Sequence, residues 1–183
     1  MESATQWLIL SFKMGQYTKL AKRAISHYLK TGQVLAVPDW VNSKMALAKQ
    51  GLFVSLYLND QLRGCIGTVE PTQENLAQEI IRNALSAAFQ DPRFPPLTSE
   101  ELAELDISID ILSKPEKIES LKGHNPKKYG LIVRASDNRS GLLLPNLAGI
   151  KKAEEQLNIA CQKGGILESE EKKLYRFKSK RYH

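Results

Sequence analysis

Two side chains suited to polar chemistry stand two residues apart in Leu62-Arg63-Gly64-Cys65-Ile66-Gly67. A guanidinium close to a thiol favours the thiolate, which is the nucleophilic form of cysteine. Side chains alternate across a strand, so strand geometry predicts Arg63, Cys65 and Gly67 on one face and Leu62, Gly64 and Ile66 on the other. Gly64 and Gly67 weaken a strand interior, a cost tolerated where another group must come close to the backbone. The pattern predicts a small open site, with Cys65 as the catalytic candidate and Arg63, Gly64 and Gly67 as ligand-binding candidates. A second reading stands beside it: Arg63 pairs with an acidic side chain such as Asp91, Cys65 is buried and inert, and the glycines serve a bulge. A thiol nucleophile wants a base or an orienting partner. No histidine is tied to Cys65 by local sequence, and His124 is a loop candidate only.

Asp91 and Arg93 flank Pro92 in a loop that leaves a predicted helix. Such loops often carry function, which makes both residues ligand-binding candidates. The alternative is an internal ion pair that fixes the turn. His27, His124 and His183 lie far apart and none falls at ligand spacing with a cysteine, so neither a metal site nor a cofactor is expected. Cys161 sits on the apolar side of a predicted helix, where cysteine behaves as a small hydrophobe.

These residues need a scaffold. The chain has 183 residues, 42% of them apolar and 25% charged, which suits one folded domain or two small lobes. No apolar run reaches the roughly 18 residues of a membrane span. The first 15 residues carry no export pattern and read as a peripheral lead-in, so the protein reads as cytoplasmic with two free thiols. Its net charge of +6 is concentrated in Lys172, Lys173, Arg176, Lys178, Lys180 and Arg181. That run is either a phosphate-binding strip for nucleic acid or the solvated face of a terminal strand, since Tyr175 and Phe177 alternate with the cations.

Periodicity places a helix over residues 18–30, ended by Gly32, and a short extended piece over 34–37. Asp39 is the expected cap of a second short helix that closes at Gly51. Strands follow over 52–58 and 62–69, joined by Asn59-Asp60, then a helix over 73–89 capped by Thr72 and stopped at Asp91-Pro92. Thr98-Ser99-Glu100-Glu101 has the form of a capping box opening a short helix. Ile107, Ile109 and Ile111 alternate with Ser108 and Asp110 as a half-buried strand. Strands over 131–135 and 142–144, a helix over 150–163 and a closing strand over 174–178 complete the chain. Residues 51–113 and 130–178 thus share the order strand, strand, helix, strand. Hairpins between helices in this way predict an α+β fold with antiparallel sheets and two lobes.

The hexapeptide from Leu62 to Gly67 resembles the signature of the AMMECR-one (AMMECR1) domain family. Gly51-Leu52-Phe53-Val54-Ser55-Leu56 is similar to that family's incoming strand. Asp91-Pro92-Arg93-Phe94-Pro95-Pro96-Leu97 resembles its loop after the helix, and Gly141-Leu142-Leu143-Leu144-Pro145 its second hairpin. The likeness spans about residues 17–178. Lys163-Gly164-Gly165-Ile166 and Asn146-Leu147-Ala148 are mild departures. The resemblance implies a single two-lobed domain over 16–183 and an intracellular protein associated with a Memo-like protein and a radical SAM protein. It brings no established reaction, cofactor or catalytic residue. Three readings follow: an accessory or substrate-binding component of a modification pathway, an enzyme using Cys65 or Arg63, and a nucleic-acid-binding module using the basic C-terminal strip.

Overall fold

Leu20, Ala21, Ala24 and Ile25 recur at helical spacing and are fully buried, so helix α1 (Gln16–Thr31) turns one stripe to the core. Gly32 takes the left-handed conformation at φ 69° and its N–H reaches the Tyr28 carbonyl at 2.8 Å, closing the helix. The computed structural model describes residues 15–183. Apart from Gly15, the expected lead-in lies outside them.

Helix α2 (Ser43–Leu47) is capped by Asn42, whose side chain accepts the Met45 N–H at 2.9 Å. Asp39 does not cap it, because Pro38 and Val41 close a turn around that residue first. Strands β1 (Leu52–Leu58) and β2 (Gln61–Thr68) form an antiparallel hairpin. Its two turn residues, Asn59 and Asp60, both have positive φ, as a two-residue hairpin that matches strand twist requires.

Helix α3 runs Leu76–Phe89 and is capped by Asn75 rather than Thr72. The reason is Glu79, a fully buried carboxylate. It accepts the backbone N–H groups of Thr72 and Gln73, both at 2.7 Å, and holds that stretch out of helical geometry. Thr98 to Glu101 does not open a helix either. Half of the capping box is made, Thr98 N–H to the Glu101 carboxylate at 2.8 Å, but Glu101 also serves Arg63 and the chain turns on into strand β3 (Asp106–Leu112). In β3 the isoleucines are buried as expected, and so are Ser108 and Asp110, at 2% and 4% exposure. Both faces of the strand are covered, where alternation predicts one.

The later half repeats the plan. Strands β4 (Glu116–Ile118), β5 (Gly130–Ala135) and β6 (Ser140–Leu143) precede helix α4 (Ala153–Gly164), and β7 (Lys172–Phe177) and β8 (Ser179–Tyr182) follow it. One sheet has the order β2-β1-β3-β8, the other β6-β5-β7-β4. Each is built from hairpin, helix and returning strand, and each gains a fourth strand at its far side. The chain falls into two compact units, one running through Ile111 and taking in Lys180–His183, the other Leu112–Ser179. The first has its core between α1, α3 and the sheet, around Ile25, Leu56, Ile80 and Ile109. The second packs α4 on its sheet through Leu131, Val133, Ala160 and Cys161. Cys161 is thus a core residue, and burial pushes its thiol pKa up.

Candidate functional site

Arg63 is the extra residue of a β-bulge. Leu56 pairs with Gly64, yet its neighbour Tyr57 pairs with Leu62, so two residues of β2 oppose one step of β1. The alternation expected across the hexapeptide breaks at that point. Leu62 shares the face of Cys65, while Gly64 faces helix α3. A Cβ on Gly64 would lie 2.2 Å from the Ala87 carbonyl oxygen. Gly67 leaves room for the Phe53 ring, which a Cβ there would meet at 2.4 Å.

The bulge sends the Arg63 side chain to Glu101. Nε donates to Oε1 at 2.6 Å and Nη2 to Oε2 at 3.0 Å, with a further bond from Nη2 to the Pro96 carbonyl at 3.3 Å. This two-pronged pair is largely shielded from water and holds the Glu101 carboxyl below its usual range. The guanidinium expected to polarise Cys65 is therefore engaged elsewhere. Its acidic partner is Glu101 and not Asp91.

Asp91 and Arg93 do meet Cys65, at its backbone. Strand β2 is the edge of its sheet, so the outward N–H and C=O of Cys65 have no strand partner. Asp91 accepts the Cys65 N–H at 2.9 Å, and Arg93 Nη2 donates to the Cys65 carbonyl at 3.2 Å. The same carboxylate takes Arg93 N–H at 3.1 Å, Nε at 3.0 Å and Nη2 at 2.7 Å. Asp91 is buried while more than half of the Arg93 side chain is exposed. Hydrogen bonding from Arg93 holds the Asp91 carboxyl well below the usual carboxylate range, and Asp91 in turn raises the pKa of Arg93. The loop is an ion-paired clamp on the edge of the hexapeptide strand.

The Cys65 thiol has a different neighbour. Ser55, opposite it on β1, donates its hydroxyl to the sulfur at 3.2 Å. Ser108 stands next to Ser55 on β3, and its buried hydroxyl has no hydrogen-bond partner. Cys65, Ser55 and Ser108 thus lie abreast on three adjacent strands. Two residues further along β3 stands Asp110, which accepts Arg181 Nε at 3.1 Å and Nη2 at 2.8 Å. Neither serine was a site candidate in the sequence, and Arg181 was one only as part of the basic C-terminal run. The signal for Ser55 and Ser108 was their place in alternating strands opposite the hexapeptide, visible only once register is known.

His124 belongs to the second unit and is buried there. Its Nε2 and the Gln156 amide oxygen are 2.7 Å apart, and Gln156 donates to the Tyr129 and Leu144 carbonyls at 3.1 and 3.3 Å. This links the loop before β5 to helix α4. The basic C-terminal residues are also largely occupied. Lys172 Nζ donates to the carbonyls of Leu167, Glu168 and Glu170. Arg176 pairs with Glu116 at 3.0 Å and lies 4.6 Å from the centre of the Tyr129 ring. Lys178 approaches the same ring and Lys180 that of Tyr182. The run is the solvated face expected, with Lys173, Lys178, Lys180 and Arg181 exposed, and Lys172, Arg176 and Arg181 also hold partners within the fold. Among the described residues no three of His, Cys, Asp and Glu gather as a metal site, and no helix is long and apolar enough to cross a membrane.

The chain is similar in sequence and fold to known proteins. The AMMECR1 family model matches residues 18–182. A protein of Thermotoga maritima is 45% identical over 168 residues, 91% of this chain and 96% of the relative. A protein of Clostridium acetobutylicum is 44% identical over 162 residues, 88% of this chain but only 34% of the relative. The crystal structure of an uncharacterized protein from Pyrococcus horikoshii superposes with a TM-score of 0.81 at 34% identity, covering 90% of this chain and 88% of the other.

Proposed function

The chain belongs to the AMMECR1 family, and from that premise we propose that it is an accessory, substrate-binding component of a modification pathway and not itself a thiol-dependent catalyst. The observation that carries this reading is the engagement of Arg63 by Glu101. It takes away the neighbouring cation expected to activate Cys65. Arg93 and Arg181 stay within electrostatic reach of the thiol, but the group bonded to the sulfur is a hydroxyl donor, Ser55, which cannot act as a base at neutral pH. What remains is a polar row across three strands, in which Ser55 and Ser108 are buried and the Cys65 thiol is part-exposed. A substrate would meet this row at the part-exposed Cys65 and the exposed Arg93 guanidinium that bonds its carbonyl.

The partners of this role are a Memo-like protein and a radical SAM protein. The Clostridium relative supports work beside another domain, since about two thirds of its length lies outside the shared region. A nucleic-acid-binding role is less well supported, because Lys172, Arg176 and Arg181 are held by partners within the fold. Electrostatic attraction from a net charge of +6 would help steer an acidic partner. Co-expression with Memo-like and radical SAM proteins of the same genome, followed by size exclusion at micromolar concentration with substrate present, tests the reading. Co-elution that survives Cys65→Ser supports it. Separate elution of all components, or turnover by this chain alone that Cys65→Ser abolishes, overturns it.

A further inference from the structure

Residues 34–37 form an extended segment that no strand accompanies. Leu35 and Val37 pack against the core of the first unit, while Val34 and Ala36 are exposed, a period of two as in a strand. Among the described residues the backbone groups of these four make no hydrogen bond. An unpaired extended backbone is what a sheet edge offers to an incoming strand. Beside it runs a groove of about 450 Å³ between the segment and helix α3.

The groove has its own chemistry. Ile81 and Leu85 give it an apolar floor. The Gln78 side-chain oxygen, also in its lining, is buried and has no hydrogen-bond partner. Arg82 stands exposed at the rim and pairs with no carboxylate among the described residues. Three separate deficits, of backbone bonds, of a donor for Gln78 and of an anion for Arg82, border one cavity.

We propose that this groove binds an extended acidic peptide, which adds as a strand along residues 34–37. The peptide backbone pairs with the free edge and one of its amide N–H groups reaches the Gln78 oxygen. A glutamate or aspartate carboxylate pairs with Arg82, and a neighbouring apolar side chain rests on Ile81 and Leu85. A compact small molecule does not match this site, because the free backbone runs over about 10 Å or more at strand rise. A second copy of the chain matches poorly, since the segment Val34-Leu35-Ala36-Val37 carries no acid and a two-fold arrangement brings Arg82 towards its equivalent. The groove shares no residue with the Cys65 face, so this inference and the reading above stand or fall separately.

The probe is a capped, fluorescein-labelled peptide of alternating valine and threonine with one central glutamate. It is compared with a lysine counterpart and with one methylated on alternate backbone nitrogens. Binding is read by polarisation and by amide shifts of the full-length protein. The glutamate peptide is expected to shift residues 34–37 and the first half of α3, and to bind more tightly than the lysine peptide. Methylation should abolish binding. Arg82→Glu should weaken the glutamate peptide about two- to fivefold, as for an exposed ion pair, and reverse the preference between the two charges. Ala36→Pro, with its fold checked by thermal melting, should lose binding by removing an edge N–H. Equal binding of the methylated peptide, shifts confined to other surfaces, or no binding at millimolar peptide would overturn the proposal. So would a concentration-dependent dimer that Ala36→Pro dissolves, which would assign the edge to a second copy.

Discussion

Gly64 lies so close to Ala87 that a Cβ on the glycine would stand 2.2 Å from the alanine carbonyl oxygen, and Gly141 repeats the relationship against Ala160 at 1.8 Å. In each unit the second strand of the hairpin meets its helix through a glycine opposite an alanine. Gly64 pairs with Leu56 and Gly141 with Val133 in the two hairpins. No other residue fits there, because the obstacle is helix backbone that cannot rotate away. Gly64→Ala and Gly141→Ala should each cost about 2–3 kcal/mol, the upper part of the usual range for overpacking. A urea midpoint lowered in both, with an unchanged slope, is the expected result; a loss below 0.5 kcal/mol (about the size of a neutral surface change) would show that helix and sheet can separate freely.

The same two glycines show how far the fold was legible from sequence. Order and periodicity predict strand, strand, helix, strand twice, and both sheets have that core in the same spatial order. Strands β4 and β8 escape notice because Glu116-Lys117-Ile118 and Ser179-Lys180-Arg181-Tyr182 are short, charged and at sheet edges, where pairing needs no apolar alternation. The site was legible as a place and not as an arrangement. Its residues do gather, with Asp91 and Arg93 on the Cys65 backbone, but strand alternation cannot foresee a bulge at Arg63. Nor can it foresee that Glu101, thirty-eight positions away, will take the guanidinium. Register and loop closure are long-range choices, decided by packing that local pattern does not carry.

Cys65 is half-buried and Cys161 lies in a core, so the first should alkylate faster with iodoacetamide in the folded protein. Arg63→Ala should leave the Cys65 rate within about twofold, because the guanidinium is held by Glu101, while lowering stability by on the order of 2 kcal/mol through the orphaned carboxylate. Ser55→Ala, by contrast, should alter the Cys65 rate. Labelling is followed at each cysteine by peptide mass spectrometry, under conditions where each variant remains folded. A tenfold fall in Arg63→Ala would restore Arg63 as the activating group.

Glu79 joins three segments by accepting bonds from Thr68, Thr72, Gln73 and Asn83. Glu79→Ala leaves two backbone N–H groups without their acceptor and should cost about 3 kcal/mol. Glu79→Gln keeps one acceptor oxygen and should cost less. Hydrogen exchange offers a local check: protection at Thr72 and Gln73 should disappear in Glu79→Ala before that of the sheet.

Asp91 links stability to pH. Its folded carboxyl is depressed by the hydrogen bonds from Arg93 and by the Cys65 N–H, and Glu101 is depressed by Arg63. A group whose folded pKa lies below its unfolded value, about 4 for a carboxyl, contributes stability in full above that unfolded value. The contribution declines as pH falls from there towards the folded pKa, since the unfolded chain then binds protons the folded one refuses. Unfolding free energy should therefore be flat with respect to these two groups near neutrality and fall below about pH 4. Asp91→Asn removes one of the two contributions. It should be less stable at pH 7 by on the order of 2 kcal/mol, as for a buried charge-assisted pair, and its stability should decline less steeply in acid. The two curves converge as the wild-type carboxyl becomes protonated. Urea titrations of both proteins from pH 7 to pH 2.5 measure the difference directly. Parallel curves across that range would mean that Asp91 has the same proton affinity in both states, and that its clamp on the Cys65 backbone adds nothing beyond geometry.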